Sequence, residues 1–318
     1  MNIMKFKKIV SIGLSEGILD KKYWEQLDSL ADERVLLTKD SSEVVAELAD
    51  ADCLLVWFNG VDKTLIDQAP NLKYIGALAT GVGKIDVSYA KSKGITVTNI
   101  PGYSTEAVAE LTIAVLLEHL RDLSRAKLAS KKARTSEALF SGHEIKGKDF
   151  GVVGLGRIGT RVAELAHAFG ANVYYYSRTP KPSYKSTLNF EELDRLIEHC
   201  NFISVNLALN DETEGIFNAE RISSIKKGAI LINTAPLELF NLDALNKRLD
   251  ANDLTFIFDH TDPGDIDDEQ LERLRNHDNC ITYPVLGYIT DEARLALQEM
   301  FVSNASNFLS GNTTNAVA

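Results

Sequence analysis

The residues with the clearest chemical purpose are three glycines in the run Gly154-Leu155-Gly156-Arg157-Ile158-Gly159. Glycines meet this spacing by chance, so the flanks decide what it means. The run Phe150-Gly151-Val152-Val153 before it reads as a buried strand, and helical periodicity begins at Ile158. In a strand–turn–helix the first glycine permits a tight turn and the second lets backbone approach a pyrophosphate. The third lets the helix pack on the strand. The phosphates would then meet free N–H groups and the positive end of the helix dipole. Gly154, Gly156, Arg157, Ile158 and Gly159 are therefore candidate dinucleotide contacts.

The end of the following strand chooses between the two common dinucleotides. An acid there binds the ribose 2′-hydroxyl of NAD and repels the 2′-phosphate of NADP. This chain instead has Ser177-Arg178-Thr179, which can hydrogen-bond and neutralise a phosphate. NADP is expected in preference to NAD. The plainer reading of the same residues is a polar turn with Arg178 in water.

The loop needs a sheet to carry it, and the pattern of the whole chain supplies one. Short apolar runs alternate throughout with longer amphipathic stretches, as in α/β proteins. Strands are predicted over 8–12, 33–37, 53–58, 72–78 and 96–98, with helices over 21–31, 42–48 and 87–93. This part reads as a flavodoxin-like unit. Pro101-Gly102 interrupts it, and Ser104 or Thr105 is expected to cap a helix over 106–121, followed by a more polar one over 127–137. A second series then runs through strands 149–153, 172–176, 202–207, 229–233, 254–258 and 280–282. Its helices are predicted over 158–168, 190–199, 219–225 and 242–249. A closing helix, 291–309, is expected to return to the first unit, and the small, polar tail 310–318 to fray. The predicted fold is α/β, with two Rossmann-like or flavodoxin-like domains on doubly wound parallel sheets. They comprise residues 1–100 plus 290–318, and 101–289.

Composition narrows the classes of partner. Of 318 residues, 45% are hydrophobic and 25% charged, an ordinary soluble mix. A net charge of −11 argues against a nucleic-acid backbone or an anionic membrane as partner. Cys53, Cys200 and Cys280 are far apart, with no Cys-x-x-Cys pair and no histidine at ligand spacing. They are expected to be small core residues in a reducing compartment, and no metal site is expected. The basic start, Met1 to Lys8, is followed by an apolar run too short for a secretory signal, and no uncharged stretch could span a bilayer. A cytoplasmic location is expected.

Several segments, taken in order, resemble the D-isomer-specific 2-hydroxyacid dehydrogenases, in particular their glyoxylate- and hydroxypyruvate-reductase-like members. They are Asp86, Gly94 to Gly102, Thr105 to Leu111, Lys146-Gly147-Lys148, the glycine loop, and Lys227 to Ala235. The resemblance covers nearly the whole chain. It implies that 1–100 plus 290–318 hold substrate and that 101–289 hold the dinucleotide. Backbone N–H groups of Thr80, Gly81 and Val82 would bind a substrate carboxylate. Thr105 and Asp259 would line the nicotinamide half of the cofactor, and Thr234 and Ala235 would also contact the cofactor. Helices such as 106–120 would pair two subunits in a homodimer.

The chain departs from the family at its chemistry. The arginine that holds the substrate follows Asn-Thr-Ala in the family, and Pro236 stands there. The glutamate that tunes the proton donor falls five residues beyond Asp259, at Gly264, although Asp262 or Asp265 could serve after a shift of register. The histidine that passes the proton follows Pro284, and that slot holds Val285. Tyr288 is the preferred substitute because a phenol can protonate an alkoxide, and His260 is the second. Tyr283 and Lys84 are further candidates, and for all four the plainer reading is a packed or solvated side chain. The other histidines read as structural. Two functions fit: an NAD(P)-dependent oxidoreductase of CH–OH or C=O groups with an atypical small-molecule substrate or proton donor, and a catalytically inactive NAD(P)-binding pseudoenzyme that senses or scaffolds.

Overall fold

The protein is described by a computed structural model covering residues 4–57, 59–132, 136, 140–184, 186–259 and 268–318. It is α/β and divides into two units, 1–103 with 290–318, and 104–289.

The first unit carries five parallel strands: β1 (Phe6–Ile12), β2 (Ala31–Leu37), β3 (Cys53–Val56), β4 (Tyr74–Ala77) and β5 (Thr96–Thr98). Their order is β2-β1-β3-β4-β5. β3 and β4 are buried along their whole length, so they read as unbroken apolar runs rather than alternating ones. Helices α1 (Lys21–Ser29), α2 (Val44–Leu48), α3 (Lys63–Asp67), α4 (Val87–Ser92) and α12 (Asp291–Leu309) cover the sheet. One core layer gathers Phe6, Trp24, Tyr74 and Phe301, the other Val10, Leu48, Leu54 and Ile75. Phe308 of α12 stacks on Phe6 with ring centroids 5.8 Å apart.

The tail does not fray. Val317 N donates to Val97 O at 2.8 Å, Val97 N donates to Ala318 O, and Ala316 bridges Thr98 in antiparallel fashion. β5 would otherwise present an open edge with unpaired N–H and C=O groups, and the tail satisfies them.

The second unit carries seven parallel strands: β6 (Asp149–Val153), β7 (Asn172–Tyr176), β8 (Asn189–Phe190), β9 (Phe202–Val205), β10 (Ala229–Asn233), β11 (Leu254–Phe258) and β12 (Cys280–Thr282). Their order, β12-β11-β10-β9-β6-β7-β8, reverses direction at β6. That reversal is where open α/β sheets form a crevice outside the carboxyl ends of their strands. The helices are α5 (Thr105–Arg121), α6 (Leu123–Lys131), α7 (Arg157–Ala168), α8 (Leu193–His199), α9 (Ala219–Ser224), α10 (Leu242–Asp250) and α11 (Asp268–Arg275).

Several boundaries differ from expectation for local reasons. α5 starts at Thr105, and its N-cap Ser104 makes no side-chain capping bond. α6 begins at Leu123, because Asp122 in the left-handed region (φ 50°) ends one helix and starts the next. Phe190, expected to be helical, pairs with Tyr175 in β8, so α8 begins only at Leu193. α3 and α11 were not expected at all. Cys53, Cys200 and Cys280 are free and buried, as expected of core residues. Among the described residues no helix is long and apolar enough to cross a membrane.

Candidate active site and dinucleotide cradle

The glycine loop leaves the fully buried end of β6. Gly154 lies at φ +95°, and a Cβ there would come within 2.8 Å of Asn206 O. A Cβ on Gly159 would run into the Gly154 carbonyl, so the first turn of α7 can sit on the loop only without one. Gly156 is different: its backbone is extended and an added Cβ would meet nothing within 4 Å. Its lack of a side chain relieves no internal clash and leaves open space above the loop.

Gly156 is the N-cap of α7, no side chain caps that end, and the first turn holds no acid. The first N–H groups of the helix thus have no partner within it, and the dipole adds positive charge. Beside the loop, Asn206 donates its amide to Ser204 O at 3.2 Å and Ser204 Oγ at 3.0 Å. Its Oδ1 is buried and has no hydrogen-bond partner among the described residues. An array of free donors beside one orphaned acceptor fits a pyrophosphate flanked by a hydrogen-bond-donating group, as NAD and NADP present. Among the described residues no cluster of His, Cys, Asp and Glu could hold a metal ion.

At the end of β7, Ser177 Oγ donates to Thr179 O at 2.7 Å and fixes the turn. Arg178 is not simply solvated. Its Nη1 lies 2.7 Å from Glu212 Oε2, although the two side chains are 85% and 68% exposed. Nothing in the local sequence pattern marks Glu212, which sits beyond β9 on the other side of β6.

The ends of β10 and β11 carry the positions at which the sequence resemblance places Pro236 and Asp259. Asn233 is fully buried, donates Nδ2–H to Ala235 O at 2.7 Å, and accepts from Ala235 N. Thr234 and Ala235 thereby form a fixed turn. Pro236 follows at φ −55°, ψ 143° and leads into a short 3₁₀ turn whose Leu237 and Leu239 are fully buried. Asp259, just past β11, is 7% exposed and accepts from Gly287 N at 2.8 Å. A Cβ on Gly287 would lie 2.8 Å from that same oxygen, so a larger residue there would have to push the Asp259 carboxylate aside.

That bond ties the segment 283–289 to the end of β11. Val285 is half-buried within it, and Tyr288 is 40% exposed. Tyr283 donates its hydroxyl to Glu118 Oε2 at 3.0 Å. Burial and this carboxylate push its phenol up to about 12, so it is a poor proton donor. A small cavity opens between Val115, Asn233, Thr234, Phe258, Asp259 and Tyr283, and no described Arg, Lys or His lines it. His260 and Gly264, together with Asp262 and Asp265, lie outside the described residues. Thr105 begins α5.

In the first unit, Thr80-Gly81-Val82 follows β4. Thr80 Oγ1 donates to Ile100 O at 3.0 Å, and Asn99 Nδ2 donates to Thr80 O at 2.6 Å. Lys84 is exposed.

A parallel sheet reversing at a glycine cradle defines the class of dinucleotide-binding α/β proteins, and comparison with known proteins narrows it. Residues 113–287 match the family described as D-isomer specific 2-hydroxyacid dehydrogenase, NAD binding domain. A hydroxypyruvate reductase of Blautia hydrogenotrophica is 32% identical over 330 aligned positions, covering 99% of each chain. The D-lactate dehydrogenase of Aquifex aeolicus, solved with NAD and lactic acid, superposes with a TM-score of 0.84 at 29% identity, over 96% of each chain. An acyclic imino acid reductase solved with NADPH and D-Arg gives a TM-score of 0.84 at 25% identity, over 98% of this chain and 100% of that one. The chain belongs to the D-isomer-specific 2-hydroxyacid dehydrogenase family. The family match and the NAD- and NADPH-bound relatives support use of NAD or NADP.

Proposed function

We propose that this chain is an NAD(P)-dependent oxidoreductase of a small-molecule C=O or CH–OH group, working with a substrate or proton donor unusual for its family. The observation that carries this is the contrast between an open glycine cradle at Gly156 and uncharged residues, Pro236 and Val285, where the family places its arginine and histidine. Residues 101–289 bind the cofactor through Gly154 to Gly159, Ser177, Arg178, Thr179, Thr105, Thr234, Ala235 and Asp259. Residues 1–100 with 290–318 hold the substrate, in part through Thr80, Gly81 and Val82. Arg178 favours NADP(H), because a guanidinium stabilises the 2′-phosphate.

When bound, the nicotinamide exchanges a hydride with the substrate carbon. The remaining task is to deliver a proton to the developing alkoxide. Tyr288 is the group proposed for it, with His260 second. An imine substrate would lighten that task, since it takes its proton before reduction and leaves no alkoxide. The imino acid reductase relative supports including imines among the substrates. A cytoplasmic homodimer completes the proposal. The three buried free cysteines support the location. The apolar stripe of α5, on which the dimer was expected, packs into the core of its own unit, so the support for the dimer that is left comes from α6, which buries none of its residues and exposes Leu123 and Leu128.

A second reading, a cofactor-binding sensor or scaffold without catalysis, is favoured by the same loss of charge at 236 and 285. A screen of NADPH oxidation over aldehydes, ketones, imines and 2-keto acids separates the two. General acid catalysis contributes about 10²–10⁴-fold, and a lost transition-state charge contact a comparable factor, without simple multiplication. Glyoxylate, pyruvate and hydroxypyruvate should therefore turn over far below the ordinary range of about 1–10³ s⁻¹, while at least one other substrate is reduced. Tight NADPH binding with no turnover anywhere would establish the second reading. Ordinary turnover of glyoxylate would overturn the assignment of the replaced residues.

A further inference from the structure

Arg178 follows the end of β7 and Glu212 lies in the turn beyond β9, and these two strands flank β6. β7 delivers the arginine, β9 delivers the glutamate, and β6 between them launches the glycine loop. Both ends are built rather than loose. Ser177 Oγ is bonded to Thr179 O; Glu212 N donates to Asn210 Oδ1 at 3.0 Å, and Thr213 Oγ1 donates to Ala208 O at 2.7 Å. The ion pair therefore straddles the carboxyl end of β6, where a dinucleotide with its pyrophosphate on α7 places its adenosine ribose.

We infer that Glu212 is a specificity-determining residue that sets the balance between NADP(H) and NAD(H). The inference rests on the reading of Arg178 as the 2′-phosphate ligand. An ion pair this exposed is weak, so a phosphate carrying more than one negative charge displaces the carboxylate from the guanidinium. Glu212 then remains close to the phosphate and opposes it. With NAD(H) the ion pair stays intact, and the carboxylate is free to accept from a ribose hydroxyl. That is the role an acid at the end of β7 would play. The acid missing after β7 is supplied from the turn after β9, and the two cofactors engage opposite ends of one ion pair. The preference for NADP(H) is therefore small in the native chain.

Binding to the full chain tests this, read from nucleotide fluorescence and calorimetry with NADPH, NADH and the fragments 2′,5′-ADP and 5′-AMP. E212Q should tighten NADPH and 2′,5′-ADP about two- to fivefold, the size of an exposed charge contact, and leave NADH and 5′-AMP unchanged or weaker. R178A should weaken NADPH and 2′,5′-ADP about tenfold or more. If R178A weakens NADPH but E212Q leaves the NADPH-to-NADH ratio unchanged, the role of Glu212 is overturned and the role of Arg178 stands. If R178A leaves NADPH binding unchanged, the reading of Arg178 falls and the inference falls with it.

Discussion

The carboxyl ends of β6 and β9, and those of β10 and β11, belong to one parallel sheet but answer to different kinds of constraint. At β6 the useful groups are main-chain N–H donors at the start of α7, exposed by glycines. At β10 and β11 the resemblance puts the useful groups on side chains, and Pro236 and Val285 are proposed to stand in two of those positions. The frame around those replacements is still anchored by the Asn233–Ala235 turn and the Asp259–Gly287 bond. A cradle made of backbone keeps its donors for as long as the fold holds, and is lost without unfolding only where an added side chain covers them. A reactive group made of side chains can be exchanged while the fold stays put.

The largest effect that could break this comparison lies in the loop itself. Gly159→Ala drives a Cβ into the Gly154 carbonyl and should cost about 3 kcal/mol of stability, read by chemical denaturation. Gly156→Ala, placed where a Cβ meets nothing, should change stability by less than about 1 kcal/mol yet weaken NADPH binding about tenfold. Similar behaviour of the two variants would mean the loop does not separate folding from binding. A smaller effect is expected at the other end. Pro236→Arg with Gly264→Glu and Val285→His should raise glyoxylate reduction about tenfold or more. The backbone at 236 (φ −55°, ψ 143°) is one that arginine adopts readily. No gain would show that more than side chains was lost there. The smallest effect belongs to Tyr283→Phe. The folded-state phenol is raised to about 12 from an ordinary 10.0, so its contribution is complete below pH 10 and lost as pH climbs toward 12. Urea denaturation across that window should show a flatter alkaline decline in the variant, with turnover untouched. Lost turnover would move the proton donor from Tyr288 to Tyr283.

What the sequence made legible was local. The strands 149–153, 229–233 and 254–258 could be read from continuous apolar runs, and the glycine loop from the strand and helix on either side of it. What escaped was either short or non-local. α3 has five residues, and its one signal is Asp62, which caps Leu65 N. β8 is two residues long and exists because Phe190 finds Tyr175. Glu212 looks like any turn carboxylate until the sheet order sets it opposite Arg178. Gly287 shows its purpose only when Asp259 is beside it. The proposed loss of the family's arginine and histidine rests on the single positions Pro236 and Val285, whereas a replacement requires knowing which side chains converge.

The way α12 and the tail finish the first unit has a consequence for how the chain is made. Phe301 and Phe308 are part of that unit's core, and Val317 pairs with Val97 at its edge. On a ribosome, residues 104–289 emerge as one uninterrupted stretch and can settle first. The strands made earliest must wait, with an unfilled core and an open β5, until the latest residues arrive. Of the two units, the one whose strands are made earlier is the one completed later, and through that interval its β5 edge stands unpaired.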